Sequence, residues 1–210
     1  VIDLQATGII LAGGKSSRMG TNKAFLEVGN QAVIERIIAE LSKIVSDLVV
    51  VTNHFAEYQS LGVPMTEDNW KGKGPLAGME AGLLASKHDK NLVVACDMPF
   101  ISVKLGQFLL EQLNQYEAAV PEINSRLHPL FAAYRKETVP SIQESLSEDQ
   151  LKIRSFLHRV NSKILKEDEL SGLGLDGASL YNMNNPDEYR QALQLAKQFK
   201  QDGQKGSDQR

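Results

Sequence analysis

Residues 7–23 read TGIILAGGKSSRMGTNK, an apolar strand that runs directly into a loop holding two adjacent glycines, two serines, an arginine, a third glycine and a lysine. Gly13, Gly14 and Gly20 can take backbone angles that other residues avoid. Several main-chain N–H groups can therefore turn toward one anion, with Arg18 and Lys23 adding charge and Ser16 a hydroxyl. The composition is that of a triphosphate cradle, although an ordinary glycine- and serine-rich strand-to-helix turn looks similar. Two familiar phosphate loops are excluded. The ATPase pattern G-x-x-x-x-G-K-[ST] would need glycine at position 9 ahead of Gly14, Lys15 and Ser16, and that position is Ile9. The dinucleotide pattern G-x-G-x-x-G fails because Gly13 and Gly14 are adjacent and the next glycine is Gly20.

Outward from this stretch, apolar runs alternate with amphipathic ones, the pattern of an α/β three-layer sandwich whose mostly parallel central sheet is covered by helices on both faces. Strands are predicted at 8–12, 48–52, 91–96, 118–121 and 130–134. Helices are predicted at 31–45, where Val33, Ile34, Ile37, Ile38, Leu41, Ile44 and Val45 recur at three- and four-residue steps, at 76–87 after Pro75, from Ser102 as cap, and at 137–146, 150–160 and 186–199. Residues 1–199 form one expected domain. The tail 200–210, KQDGQKGSDQR, has no apolar residue and is expected to be disordered.

The 210 residues carry 42% hydrophobic composition and a formal net charge of −3. That suffices for a substantial core and gives no basic footprint for nucleic acid. Cys96 is the single cysteine, so no intrachain disulfide can form and a reducing, cytoplasmic setting is expected. No apolar run reaches the length of a membrane helix. The four histidines, His54, His88, His128 and His158, show no metal-ligand spacing, and no G-x-S-x-G elbow is present.

In open parallel sheets, ligands sit at the carboxyl ends of the strands where the strand order reverses. The glycine loop, Asn53 and Asp97 each follow a predicted strand and can share one crevice. Asp97, in ACDMPF, suits a Mg²⁺ ligand, because that ion is held by one or two carboxylates together with phosphate oxygens and water. Turn capping is its bland alternative. Residues 67–78, EDNWKGKGPLAG, form a second glycine-rich connection in which Gly78 and its neighbours let backbone approach a flat ligand. In YNMNNP, Asn182 and Asn184 are two apart, with side chains on one face if the segment is extended; paired amides can read a polar heterocycle, and asparagines also simply make turns.

Taken in order, LAGGKSSRMGTNK (11–23), ED (67–68), GPLAG (74–78), CDMPF (96–100), RLHPLFAAY (126–134) and NMNNP (182–186) resemble the molybdenum cofactor guanylyltransferase (MobA) family of nucleotidyltransferases. The resemblance implies a Rossmann-like fold of the nucleotide-diphospho-sugar transferase type. It implies transfer of GMP from GTP to the terminal phosphate of molybdopterin, with release of pyrophosphate and transient contact with other molybdenum cofactor biosynthesis proteins. Carried over by position, Leu11, Ala12, Gly13, Lys23, Asp68 and Asp97 are the implied GTP and magnesium contacts, with Gly14, Ser16 and Gly78 beside them. Asn182, Asn184 and Arg154 are the implied acceptor side, and 128–131 its support. Arg18, Lys23 and Asp97 are the implied catalytic set. A phosphate monoester is already largely dianionic near neutral pH, so no general base is required; charge neutralisation and in-line positioning are. Relatives that use CTP commonly read LAAG where this chain reads LAGG, which points to GTP. One departure stands out: the family often has Asp immediately before the loop lysine, and here it is Asn22. A cytidylyltransferase of the same fold is the enzymatic alternative, and a nucleotide-binding module without turnover is the alternative of another class.

Overall fold

The computed structural model describes residues 5–13, 22–172, 175 and 177–207, the side chains of 200–207 excepted. In chain order the elements are β1 (Ala6–Leu11), α1 (Val33–Leu41), β2 (Asp47–Val51), α2 (Phe55–Tyr58), β3 (Met65–Thr66), α3 (Pro75–Ala85), β4 (Lys90–Ala95), α4 (Val103–Gln112), β5 (Ala118–Ile123), β6 (Arg126–Leu127), β7 (Phe131–Arg135), α5 (Val139–Ser147), α6 (Ile153–Leu157), β8 (Ser162–Leu165), α7 (Glu167–Gly172) and α8 (Pro186–Ser207). The strands form an 8-stranded sheet in the order β3-β2-β1-β4-β7-β5-β6, with β8 paired to β5.

Pairing is parallel from β3 through β2 and β1 to β4, and again between β5 and β8. β7 is inserted antiparallel between β4 and β5. The chain builds outward from β1 to β3 and then returns to the far side of β1 as β4, so the strand order reverses between β1 and β4. The carboxyl ends of those two strands, at Ala12–Gly13 and Cys96–Asp97, are therefore the crevice in which this architecture binds ligands.

Side chains alternate along each central strand and feed two cores. Ile10, Val50, Leu92, Val94 and Phe131 pack with α1, α4 and α8. Ile9, Leu11, Val49, Val51, Val93 and Tyr134 pack with α3, α5 and α6. The period of two gives one sheet both faces buried, which is why the strands read as nearly continuous apolar runs. Close approach of α3 to the sheet depends on absent side chains: a Cβ at Gly82 would stand 2.3 Å from Ile9 Cγ2 and 3.1 Å from Val51 Cγ2.

The predicted elements recur with shifted ends. Ser102 caps α4 as expected, its hydroxyl accepting from Leu105 N–H at 3.2 Å. The helix predicted at 150–160 shrinks to Ile153–Leu157, because Asp149 has a positive φ of 60° and Lys152 is still extended. α8 runs on past Phe199 to Ser207, through polar residues that the sequence assigns to the tail; residues 208–210 lie outside the described part. The two-residue strands β3 and β6, and β8 at the far edge, are additional to the predicted set.

Replacing Gly82 with alanine is expected to destabilise the protein by about 1–3 kcal/mol through overpacking against Ile9. Chemical denaturation measures this, and an unchanged midpoint would show that α3 can move away from the sheet without cost.

Candidate active site

Lys23 opens a short 3-10 turn (Lys23–Phe25) that Asn22 caps by accepting the Ala24 N–H at 3.1 Å. The Asn22 carboxamide also donates to Glu57 Oε2 at 2.7 Å and to the Tyr58 hydroxyl at 2.8 Å. Phe25 packs on the Tyr58 ring at 5.2 Å between centroids. Residue 22 thus uses both ends of its amide. An aspartate could keep the cap, but it would lose both donated bonds and face the Glu57 carboxylate, so asparagine is the side chain that fits this neighbourhood.

From the other side of the crevice, Met183 N–H donates to the Asp97 carbonyl at 3.0 Å and the Met183 side chain is wholly buried. That anchor turns residues 182 and 184 outward. Lys23 Nζ donates to Asn184 Oδ1 at 3.4 Å, joining the glycine-loop end to the NMNNP segment across 161 residues of chain. Asn182 is half-buried and has no hydrogen-bond partner among the described residues. Glu188 accepts the Asn184 N–H, and Asn185 Oδ1 accepts the Glu188 N–H at 2.9 Å, an exchange of caps that starts α8.

Asp97 follows β4 at the reversal point. One carboxylate oxygen, Oδ1, is buried with no hydrogen-bond partner among the described residues. Burial raises its pKa above the ordinary 3.8, Lys23 and a backbone N–H oppose the rise, and the Glu188 carboxylate adds to it. A buried anionic oxygen left without a donor is costly. Among the described residues no three His, Cys, Asp or Glu side chains cluster as a metal cage. Asp97 therefore fits an ion that takes one carboxylate and fills its other positions with phosphate oxygens and water.

On the β2–β3 side, Asn53 Nδ2 donates to Asp68 Oδ2 at 2.9 Å, and Asp68 N–H donates to Asn53 Oδ1 at 3.3 Å. The second Asp68 oxygen, Oδ1, is also buried without a partner among the described residues. Among the described residues, nothing lies within 4 Å of where a Cβ on Gly13 would stand. At Gly78 a Cβ would stand 3.4 Å from Leu11 and 3.8 Å from Val51, an ordinary van der Waals contact. Cys96 is held as a neutral thiol, pushed up to about 12 by burial and by Asp97. His128 lies below its usual value through burial and the charge of Arg126. The Cys96 thiol therefore stays protonated at neutral pH.

The structure thus brings Lys23, Asp97 and Asn184 together and ends Leu11, Ala12 and Gly13 at the same edge, with Asn53 and Asp68 paired two strands away. Gly14, Ser16 and Arg18 lie outside the described residues. Arg154 is not with the two asparagines; it lines a separate cavity with Arg126 and Lys152. Sequence reading passed over Glu57, Tyr58 and Glu188. Only Glu188 carried a signal, the Asn185-x-x-Glu188 spacing of a capping box.

A family profile described as the MobA-like NTP transferase domain matches residues 8–164. A "probable molybdenum cofactor guanylyltransferase" of Pelotomaculum thermopropionicum is 38% identical over 193 residues, 92% of this chain and 94% of its own. Among solved structures, the molybdopterin-guanine dinucleotide biosynthesis protein A of Archaeoglobus fulgidus superposes with a TM-score of 0.79 at 23% identity, over 91% of this chain and 99% of that one. The 2-C-methyl-D-erythritol 4-phosphate cytidylyltransferase of Thermus thermophilus superposes with a TM-score of 0.69 at 19% identity, over 92% and 100%. At these identities the two structural likenesses speak for the fold.

Two outcomes follow from the geometry. Asn22→Asp should cost about 1–2 kcal/mol in chemical denaturation through its lost bonds and the opposed carboxylates, and Glu57→Gln in the same background should recover most of it; purely additive effects would contradict the contact. For Asp97, a raised folded-state pKa means that ionisation opposes folding. The penalty is absent below the ordinary 3.8 and complete once the pH exceeds the folded value. In metal-free protein, Asp97→Asn should therefore raise the melting temperature at neutral pH, with the gain fading as the pH falls toward 3.8; a gain independent of pH would place the cause elsewhere.

Proposed function

The chain belongs to the MobA-like NTP transferase family, and from that premise we propose that it transfers GMP from GTP to the terminal phosphate of molybdopterin, forming the guanine dinucleotide cofactor and releasing pyrophosphate. The observation that carries the reading is the meeting of Lys23, Asn184 and the unpartnered Asp97 oxygen where the strand order reverses.

The acceptor phosphate is itself the nucleophile and is largely dianionic at neutral pH, so the site needs no base. The neutral Cys96 thiol agrees with that requirement. Lys23 is held by Asn184 at one end and, through its turn, by Asn22, Glu57 and Tyr58 at the other, which fixes a cation where negative charge builds during phosphoryl transfer. Arg18 and the N–H groups of residues 13–20 would share that charge. Asp97 would hold the magnesium ion, which when bound neutralises phosphate oxygens and aligns them for in-line attack. The Asn53–Asp68 pair, with an unpartnered oxygen on Asp68, would read the nucleoside. The open side of Gly13 favours a purine over a cytosine, which sets the guanylyltransferase reading ahead of a cytidylyltransferase.

Pyrophosphate release measured with each nucleoside triphosphate, with and without molybdopterin, tests the assignment. Turnover should require both GTP and the acceptor. Equal turnover with CTP, or release without acceptor, would overturn it. Because a Cβ at position 13 meets no atom of the described residues, Gly13→Ala should leave the fold intact and lower GTP turnover about tenfold relative to CTP; an unchanged preference would refute the steric account.

A further inference from the structure

Helix α5 ends with the two hydrogen bonds of a Schellman turn: Gln150 N–H donates to the Ser145 carbonyl at 2.8 Å and Asp149 N–H to the Leu146 carbonyl at 3.2 Å. The residue that turns left-handed in such an ending is usually glycine, and here it is Asp149, at a φ of 60°. That backbone conformation disfavours a side chain, and the carboxylate stands at the negative end of the helix dipole. The neighbouring carboxylates have a cation of their own: Arg159 pairs with Glu144 and Glu148 and donates to Gln150 Oε1 at 3.2 Å. Asp149 instead accepts from Lys73 Nζ, outside α5, at 2.6 Å. A residue that weakens its own helix in two ways points to a use elsewhere.

Lys73 lies in the connection between β3 and α3, flanked by Gly72 at a φ of 81° and by Gly74 at a φ of 72° and a ψ of −157°. On both sides of it the backbone lacks the restraint that a Cβ imposes. Gly74 also brings no side chain to cap α3. The earlier part of the connection is fastened. Asp68 exchanges two hydrogen bonds with Asn53, and Trp70 packs on the core shared by α3 and α5. Among the described residues, the Asp149 carboxylate is the one side-chain group hydrogen-bonded to residues 71–74.

We propose that the Lys73–Asp149 pair positions the 67–74 connection for the nucleoside. Asp149, fixed at the end of α5, sets Lys73, and Lys73 sets how Asp68 stands relative to the first turn of α3. Lys73 is thus a positioning residue that acts through Asp68 and does not itself touch the nucleotide. The inference rests on the GTP reading above, in which Asn53 and Asp68 face the nucleoside.

Calorimetric GTP affinity and chemical denaturation, measured on the same variants, test this. Asp149→Gly removes the left-handed side chain and the opposed charge, so it should unfold no earlier than the wild type. It should nevertheless bind GTP about fivefold more weakly, the upper range for an exposed ion pair. Lys73→Ala should weaken GTP by the same factor, and the double variant by no more than either. The exchanged pair, Lys73→Glu with Asp149→Lys, should recover most of the affinity. Guanosine used as a competitor should lose affinity in parallel with GTP, because the connection acts on the nucleoside. Unchanged GTP affinity in the folded variants would overturn the positioning role and leave the GTP reading standing. Tighter GTP binding by Asp149→Gly, with the loss confined to Lys73→Ala, would also overturn it, because Lys73 would then contact the phosphates directly. A wild-type protein that binds no GTP would overturn the nucleotide reading, and this inference with it.

Discussion

A carboxylate that leaves a buried strand end with one oxygen unbonded, next to a single lysine, is the constraint around which this molecule is arranged. Asp97 is raised by burial, and Lys23 opposes the rise. The two groups come from chain segments more than seventy residues apart. The strand reversal between β1 and β4 brings the segments to one edge, and the two cores on opposite sheet faces hold that edge rigid.

The supporting contacts make sense as ways of fixing Lys23 and Asp97 relative to each other. Arg36 on α1 donates to the Pro99 carbonyl at 3.2 Å and to the Val28 carbonyl at 3.4 Å, binding the turn after Asp97 to the segment after Lys23. Tyr189 on α8 donates to the Glu27 carbonyl at 2.9 Å, and Met183 N–H donates to Asp97. Asn22 connects the same segment to α2, which begins two residues after Asn53, the partner of Asp68. The residues proposed to read the nucleoside are in this way mechanically joined to the residue proposed to neutralise its phosphates. A site that works by positioning and charge, with no proton to move, depends on such bracing.

The fold was legible because long apolar runs and amphipathic stripes alternate over most of the chain, and periodicity of that kind survives reading without tertiary context. Met-Thr, Arg-Leu and Ser-Lys-Ile-Leu are too short to carry a period, so β3, β6 and β8 came only with their partner strands. The inserted antiparallel β7 was readable as a strand but not in its direction, which depends on pairing with β4 and β5. Of the site, Lys23 and Asp97 could be found because glycines and strand ends mark backbone that must meet a ligand. Glu57 and Tyr58 could not, since a hydrogen bond from Asn22 leaves no trace in spacing. The three cations around the β5–β6 cavity lie 28 residues apart at their extremes, and only the fold gathers them.

Crystallography of the protein with a non-hydrolysable GTP analogue and magnesium tests the central claim most directly. The account predicts a metal ion on Asp97 Oδ1, phosphate oxygens within hydrogen-bond reach of Lys23 Nζ, and the base beside Gly13. A nucleotide bound with its phosphates away from Lys23, or a metal ion that leaves Asp97 unliganded, would contradict it.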